Sequence, residues 1–393
     1  MGNKVMKNNA DQTKQEYGIG LVGYGGIGKI HTVNWRNLHL YYSDLPLNLI
    51  LRGAAARTEK SAEQAVLEGG FTSGTTDYRD LIDDAEIDLI DICTPNDLHY
   101  PVFMAALEAG KDIYCEKPLA LNLEQAGEMH RKANASNSTV QLAFCFRFIP
   151  AIIRAKKLIE DGFLGDVINF RAQYFHSSYL DPDKPMSWRL SREASGGGAL
   201  VDLGAHVIDL MLSLLGPFSR VMAQTKTFIS ERPGKNKDKK IEVKVDDHAQ
   251  LLIELASGGI GIIEVSRVAQ GTTEDLNFEI HGSQGAIKFD VMDPSWLYAY
   301  DGRESRKPLG GTHGYKQIQT MHNYPSNRIP GGRNMVNFMG MHADSQYQMI
   351  RAAAGLQLPS PNTKDGYKVQ QILDASYQSA REDNWIEILT DNP

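Results

Sequence analysis

A chain of 393 residues is too long for one ordinary hydrophobic core and predicts two domains. With 42% hydrophobic and 23% charged residues it reads as a soluble globular protein, and a formal charge of −7 argues against a nucleic-acid surface. Three cysteines, Cys93, Cys115 and Cys145, form no C-x-x-C pair; they exclude a disulfide framework and indicate a reducing, cytoplasmic setting.

Residues 1–16 are polar, without the apolar run of a signal peptide or membrane anchor, and read as a flexible tail. Tyr17–Val22 is a short apolar strand that runs into Gly23, Tyr24, Gly25, Gly26, Ile27 and Gly28, after which a helical pattern continues to about Leu40. Strand, glycine turn and helix in this order predict a dinucleotide fold, with free helix amides facing a pyrophosphate. Further strands over Leu49–Ala56, Ile87–Cys93 and Asp112–Cys115 alternate with helical stretches, so the sheet is expected to be parallel.

In such a sheet the turns after the strands share one rim, which gathers the glycine loop with Thr94, Pro95, Asn96 and with Glu116, Lys117, Pro118. Lys117 is a candidate to polarise a substrate hydroxyl beside a nicotinamide. The second strand ends at Arg57 and Thr58 with no acidic residue for an NAD ribose, so NADP is permitted and the choice between NAD and NADP stays open. Gln141–Phe146 reads as the last strand of a nucleotide domain over 17–147, and Pro150–Asp161 as a linking helix.

In the second domain, 148–393, Val167–Tyr179 alternates like a strand with Tyr174 and His176 on one face. Trp188 and Arg189 follow in a loop, a pair suited to stacking on and donating to a hydroxylated ligand. Gly196–Gly198 then open an apolar helix whose polar residues, Asp202, His206, Asp209 and Ser213, share one stripe. On that stripe Asp202 and His206 either satisfy each other in the core or serve catalysis; no second ligand cluster accompanies them, so no metal is expected. Strands over Val221–Phe228, Ile241–Val245, Ala249–Leu255, Ile260–Val268, Leu276–His281 and Ala286–Phe289 predict antiparallel pairing. The open face of that sheet calls for a partner subunit, so a homo-oligomer, dimer or tetramer, is expected. His313, Tyr315 and His322 are candidate pocket residues without a clear place. Met335–Ala354 and Gly366–Ala380 read as helices packing back across the domains, and Trp385–Leu389 as a closing strand.

Gly23–Gly28, then Cys93-Thr94-Pro95-Asn96 with His99, then Glu116-Lys117-Pro118, then Gly196–Asp209, in this order, resemble the Gfo/Idh/MocA oxidoreductases. The resemblance runs through nearly all of the chain from Tyr17. It implies an α/β protein: a Rossmann domain followed by an α+β domain with an open, mostly antiparallel sheet. It further implies NAD(H) or NADP(H), held tightly in some members, and hydride transfer to or from a secondary alcohol of a sugar, glycoside or cyclitol. By position, Lys117, Asp202 and His206 correspond to the catalytic set, and Thr94, Asn96, His99, Glu116, Lys117 and Arg147 to cofactor neighbours. Cys145 stands where many members carry Asn. The same scaffold supports two further readings, an NAD-dependent glycosidase using transient C3 oxidation and a cofactor-sensing regulator without chemistry. Neither a nucleic acid nor a membrane is expected as a partner.

Overall fold

The computed structural model describes residues 14–234, 239–320 and 338–388. Six strands, β1 (Glu16–Val22), β2 (Asn48–Ala55), β3 (Ser73–Thr75), β4 (Leu89–Ile92), β5 (Asp112–Cys115) and β6 (Val140–Leu142), form one parallel sheet in the order β3-β2-β1-β4-β5-β6. Every residue of β4 is buried, as a central strand covered by helices on both faces requires. The chain runs outward from β1 on one side and from β4 on the other, so a crevice opens between their carboxyl ends, where such sheets bind ligands. The three turns singled out in the sequence follow β1, β4 and β5 and share that rim.

The sequence pattern runs β6 too long. After Ala143 donates its N–H to the Cys115 carbonyl at 2.8 Å, the chain leaves the sheet and makes a 3-10 turn over Cys145–Phe148. Phe144 and Phe146 are buried there as core side chains, which explains their strand-like apolar pattern. The short edge strand β3, Ser-Gly-Thr, carries no hydrophobic signal and was not anticipated.

The second sheet has nine strands in the order β16-β15-β14-β13-β7-β12-β11-β8-β17. They are β7 (Val167–Phe175), β8 (Phe218–Lys226), β11 (His248–Leu255), β12 (Ile260–Ser266), β13 (Asp275–Gly282), β14 (Gly285–Asp290), β15 (Trp296–Asp301), β16 (Lys316–Gln319) and β17 (Ile386–Glu387). The pairings are antiparallel except that of β7 with β12, because β7 enters the middle of the sheet from the linking helix Pro150–Glu160. The segment expected as a strand over Ile241–Val245 instead forms β10 (Lys240–Glu242), paired with β9 (Glu231–Pro233) in a separate hairpin.

One face of the large sheet, including Phe170, Ala172 and Tyr174, packs on the helix that carries His206. The other face leaves Leu252, Ile260 and Ile262 exposed. The helix Phe338–Ala353 returns to the first domain, where Tyr347 stacks on Tyr42 at 3.8 Å and Ser345 accepts from the Tyr114 hydroxyl at 2.7 Å. The helix Thr363–Glu382 lies between Leu123–Asn134 and β8. Arg192–Leu215 is long and apolar enough to cross a membrane, but most of it is buried inside the protein, as in a core helix.

Candidate active site

The glycine run before Asp202 is dictated by packing. Gly196 has φ +79°, and a side chain on Gly198 would put its Cβ 1.9 Å from the Asp246 carbonyl oxygen. Asp246, itself buried, accepts from the N–H of Gly198 at 3.0 Å and of Leu200 at 2.8 Å, and from the Tyr377 hydroxyl at 2.6 Å. The helix then opens with a π turn over Leu200–Gly204 before the α-helix Ala205–Leu215 begins. A π turn holds more residues per revolution than an α turn, so the polar stripe expected from α spacing is split.

Asp202 and His206 accordingly do not bond to each other. Asp202 accepts from the Lys117 ammonium at 3.0 Å through Oδ1 and at 2.8 Å through its carbonyl, and from Arg267 at 3.2 Å through Oδ2; Arg189 approaches to 3.9 Å. Burial by itself would raise the Asp202 carboxyl, but Lys117, Arg267 and Arg189 outweigh it and hold it far below the usual carboxylate range. His206 sits between the rings of Phe144, Phe146 and Tyr174, the nearest centroid 4.8 Å away, and its Nδ1 has no hydrogen-bond partner. Burial, and then the Lys117 charge, push its imidazole well below the ordinary 6.5, so it is neutral at working pH. Asp209, the third member of the stripe, turns away to a bidentate pair with Arg147 at 2.5 and 2.7 Å.

The rim residues divide into those that face open space and those that hold the rim together. Gly25 and Gly26 have nothing within 4 Å of where a Cβ would stand, while a Cβ on Gly28 would lie 2.0 Å from the Gly23 carbonyl oxygen. No side chain caps the helix Gly26–Tyr41, and Thr94 Oγ1 is buried without a partner. This open glycine cradle with free helix amides fits a dinucleotide pyrophosphate. His99 is buried, its ring nitrogens 2.7 Å from the Pro118 and 3.2 Å from the Thr94 carbonyl oxygens, so it ties the two turns together. Asn96 donates to the Ser195 carbonyl at 2.9 Å, joining the rim to the glycine run. Pro95 precedes the short 3-10 turn that Asn96 begins, and the Lys117–Pro118 peptide is cis.

Three expected cofactor neighbours are engaged elsewhere. Arg147 is taken by Asp209 and, at 3.3 Å, by Asp365. Thr58 caps the helix Glu59–Gln64, accepting from the Ser61 N–H at 3.2 Å, which leaves the exposed Arg57 at that strand end. The Glu116 side chain lies 3.2 Å from His31 Nε2. Ile27, half-buried, packs against the cluster of Leu21, Tyr24 and Cys93.

Arg189 covers the Trp188 ring at 4.3 Å, lies 3.9 Å from Asp202 and remains 41% exposed. Tyr174 gives its hydroxyl to Glu274 at 2.5 Å, so only its ring faces His206. His176 accepts at Nδ1 from Ser178 and is close enough to Asp202 to feel its charge. His313 bonds Tyr300 at 2.8 Å and Tyr315 lies under Lys288, both near the β14–β16 edge of the sheet; His322 lies outside the described residues. Arg267, only 1% exposed, was missed: it holds Asp202 from below, and nothing in its neighbourhood in the sequence signals this.

Residues 17–144 match the oxidoreductase family with an NAD-binding Rossmann fold, and residues 152–288 match the GFO/IDH/MocA C-terminal domain. The chain belongs to the Gfo/Idh/MocA oxidoreductases. Levoglucosan dehydrogenase of Pseudarthrobacter phenanthrenivorans is 33% identical over 95% of this chain and 98% of its own length. Inositol 2-dehydrogenase of Rhizobium meliloti is 25% identical over 94% of this chain and 98% of its own. The solved structure of levoglucosan dehydrogenase with NADH and levoglucosan superposes with a TM-score of 0.90, covering 96% of this chain and all of that one. This Gfo/Idh/MocA member is thus an NAD-binding oxidoreductase, and its glycine cradle is the place where that cofactor fits.

Proposed function

We propose that the protein oxidises a secondary alcohol of a sugar, glycoside, anhydrosugar or cyclitol at the expense of NAD(P). One observation carries the reading: a lysine from the nucleotide rim and a carboxylate from the second domain meet at 3.0 Å, beside an imidazole held neutral. Bound nicotinamide supplies the hydride acceptor. His206 accepts the hydroxyl proton as general base, a role that needs a neutral ring. The Lys117 ammonium donates to the developing alkoxide, and Asp202, braced by Arg267, aims that ammonium rather than the imidazole. Trp188 and Arg189 line the mouth and engage ring hydroxyls, with Tyr174 and His176 forming the wall. Thr94 and Arg57 contact the cofactor, while Asn96, His99 and Glu116 support the rim.

The relatives that act on levoglucosan and inositol favour a neutral polyhydroxylated ring as substrate. Further members of the proposal are a homo-oligomer built on the exposed face around Leu252, Ile260 and Ile262, and a cytoplasmic setting in keeping with three free cysteines. Purified protein supplied with NAD or NADP and a panel of anhydrosugars, glycosides, sugars and inositols should raise the absorbance of the reduced nicotinamide with at least one of them. Dinucleotide binding without turnover on the whole panel would sink the assignment, and free sugar released without net reduction would replace it with the glycosidase reading. Light scattering at the monomer mass would remove the oligomer.

A further inference from the structure

Behind the Glu116–Lys117 turn, buried polar groups from distant parts of the chain face one another. His31, on the helix Gly26–Tyr41, has no exposed surface; its Nδ1–H donates to the Asp91 carboxylate, 3.0 and 3.1 Å away, and Asp91 is held in turn by the Trp35 indole N–H at 2.7 Å. On the other side of the ring, Nε2 lies 3.2 Å from Glu116 Oε1. His342, 2% exposed on the helix Phe338–Ala353, completes a triangle in which one donor atom from each of His31, Glu116 and His342 lies within 4.8 Å of the others. His31 Nε2, Glu116 Oε1 and His342 Nδ1 are all buried and all without a hydrogen-bond partner. Buried polar atoms are rarely left so, and here three of them belong to one cluster.

We propose that His31, Glu116 and His342 bind one divalent transition-metal ion, with zinc the best match. With Nδ1 committed to Asp91, Nε2 is the ring nitrogen left to face a carboxylate oxygen, a position where a cation between the two is favoured. Two imidazoles and one carboxylate form an established zinc donor set, and the 3.2 Å His31–Glu116 edge is that of a tetrahedron with bonds of ~2 Å. A ligating histidine that gives its other N–H to a carboxylate is the usual outer arrangement of such sites, and Asp91 supplies it. On the Nδ1 side Asp91 and the Cys93 thiol, 3.1 Å away, form a second cluster of possible donors, but there the ring nitrogen is already hydrogen-bonded within the protein. Such an ion would staple the cofactor helix, the lysine turn and the returning C-terminal helix at one point.

The proposal does not depend on the reaction assigned above, since its readouts are metal content and stability. The full chain, purified without chelator, is dialysed against zinc sulfate, then against metal-free buffer, and analysed by mass spectrometry for zinc. The expected result is about one zinc per chain, with a melting temperature that falls on prolonged chelation and recovers when zinc returns. Cobalt(II) in place of zinc should give visible ligand-field absorption in the unaltered chain. His342→Ala and Glu116→Gln should each abolish retention, and Asp91→Asn should weaken it about 10–100-fold. Absence of retained zinc and of a cobalt spectrum in the unaltered chain overturns the proposal and leaves a protonated His31 bridging the two carboxylates. Undiminished zinc in both ligand variants overturns it equally.

Discussion

Two helices of this protein begin in glycine-rich turns and carry a buried histidine, yet they solve opposite problems. The helix Gly26–Tyr41 has an uncapped start, with open space over Gly25 and Gly26. The helical segment from Leu200 has its leading amides filled from within by Asp246, and a Cβ on Gly198 would collide with that residue's backbone. Glycine in the first turn makes room for a ligand; in the second it makes room for the protein. A glycine run before a helix therefore marks a phosphate site only when nothing in the fold supplies the cap.

The sharpest way to test this contrast is to separate chemistry from binding. His206→Ala, on the second helix, should lower the oxidation rate by about 10²–10⁴ while the dinucleotide dissociation constant, measured by fluorescence titration, stays within about threefold. The depressed imidazole also fixes a sign: His206 stays neutral as pH falls, so kcat/KM for oxidation should be level through pH 6.5 and decline only below it. An acid limb at or above that value would mean another group is the base.

Next in size are the stability effects. Asp246→Ala strips the buried Leu200 N–H and the Tyr377 O–H of their acceptor and leaves the Gly198 N–H only the Tyr377 hydroxyl at 3.2 Å, and should cost about 3 kcal/mol in urea unfolding. Gly198→Ala should cost about as much through the clash. By contrast, Gly25→Val fills open space at a φ of −89° that any residue adopts, so it should raise the dinucleotide dissociation constant at least about tenfold with little change in melting temperature. Should Gly25→Val unfold the protein, or Gly198→Ala weaken only cofactor binding, the contrast fails.

The smallest expected effect concerns the helix that returns to the first domain. Burial raises the Asp344 carboxyl from 3.8 to about 7, with Tyr42 and Gln348 only partly opposing. Its folded value lies above its unfolded one, so the folded state binds the extra proton and stability declines as pH rises from about 4 through about 7. Asp344→Asn should remove that decline, so its advantage over the unaltered protein in paired thermal melts should grow from pH 5 to pH 8 and vanish below about pH 4.

Much of this was legible from residue order because parallel sheets impose local rules. The strand-glycine-helix unit and the turns at Thr94 and Glu116 follow from hydrophobic runs and turn residues a few positions apart, and the rim they share follows from the parallel pairing. The partners of the polar side chains were not legible. Arg147 was expected at the cofactor and is paired with Asp209; Asp202 was expected to share a stripe with His206 and is paired with Lys117 and Arg267. An α-helical period was assumed where the chain takes a π turn, and apolar Phe144 and Phe146 resembled strand residues although they pack in a turn.

Residue order alone determined the two-sheet architecture, the glycine cradle and which lysine, aspartate and histidine are candidates for the reaction, because each rests on periodicity or on a contiguous motif. Only the folded chain decided which of those groups touch, which stay neutral and which buried atoms are left without partners. Hydrophobic patterning acts over a few residues, whereas ion pairing, desolvation and close approach are set by side chains that are distant in sequence and adjacent only in space.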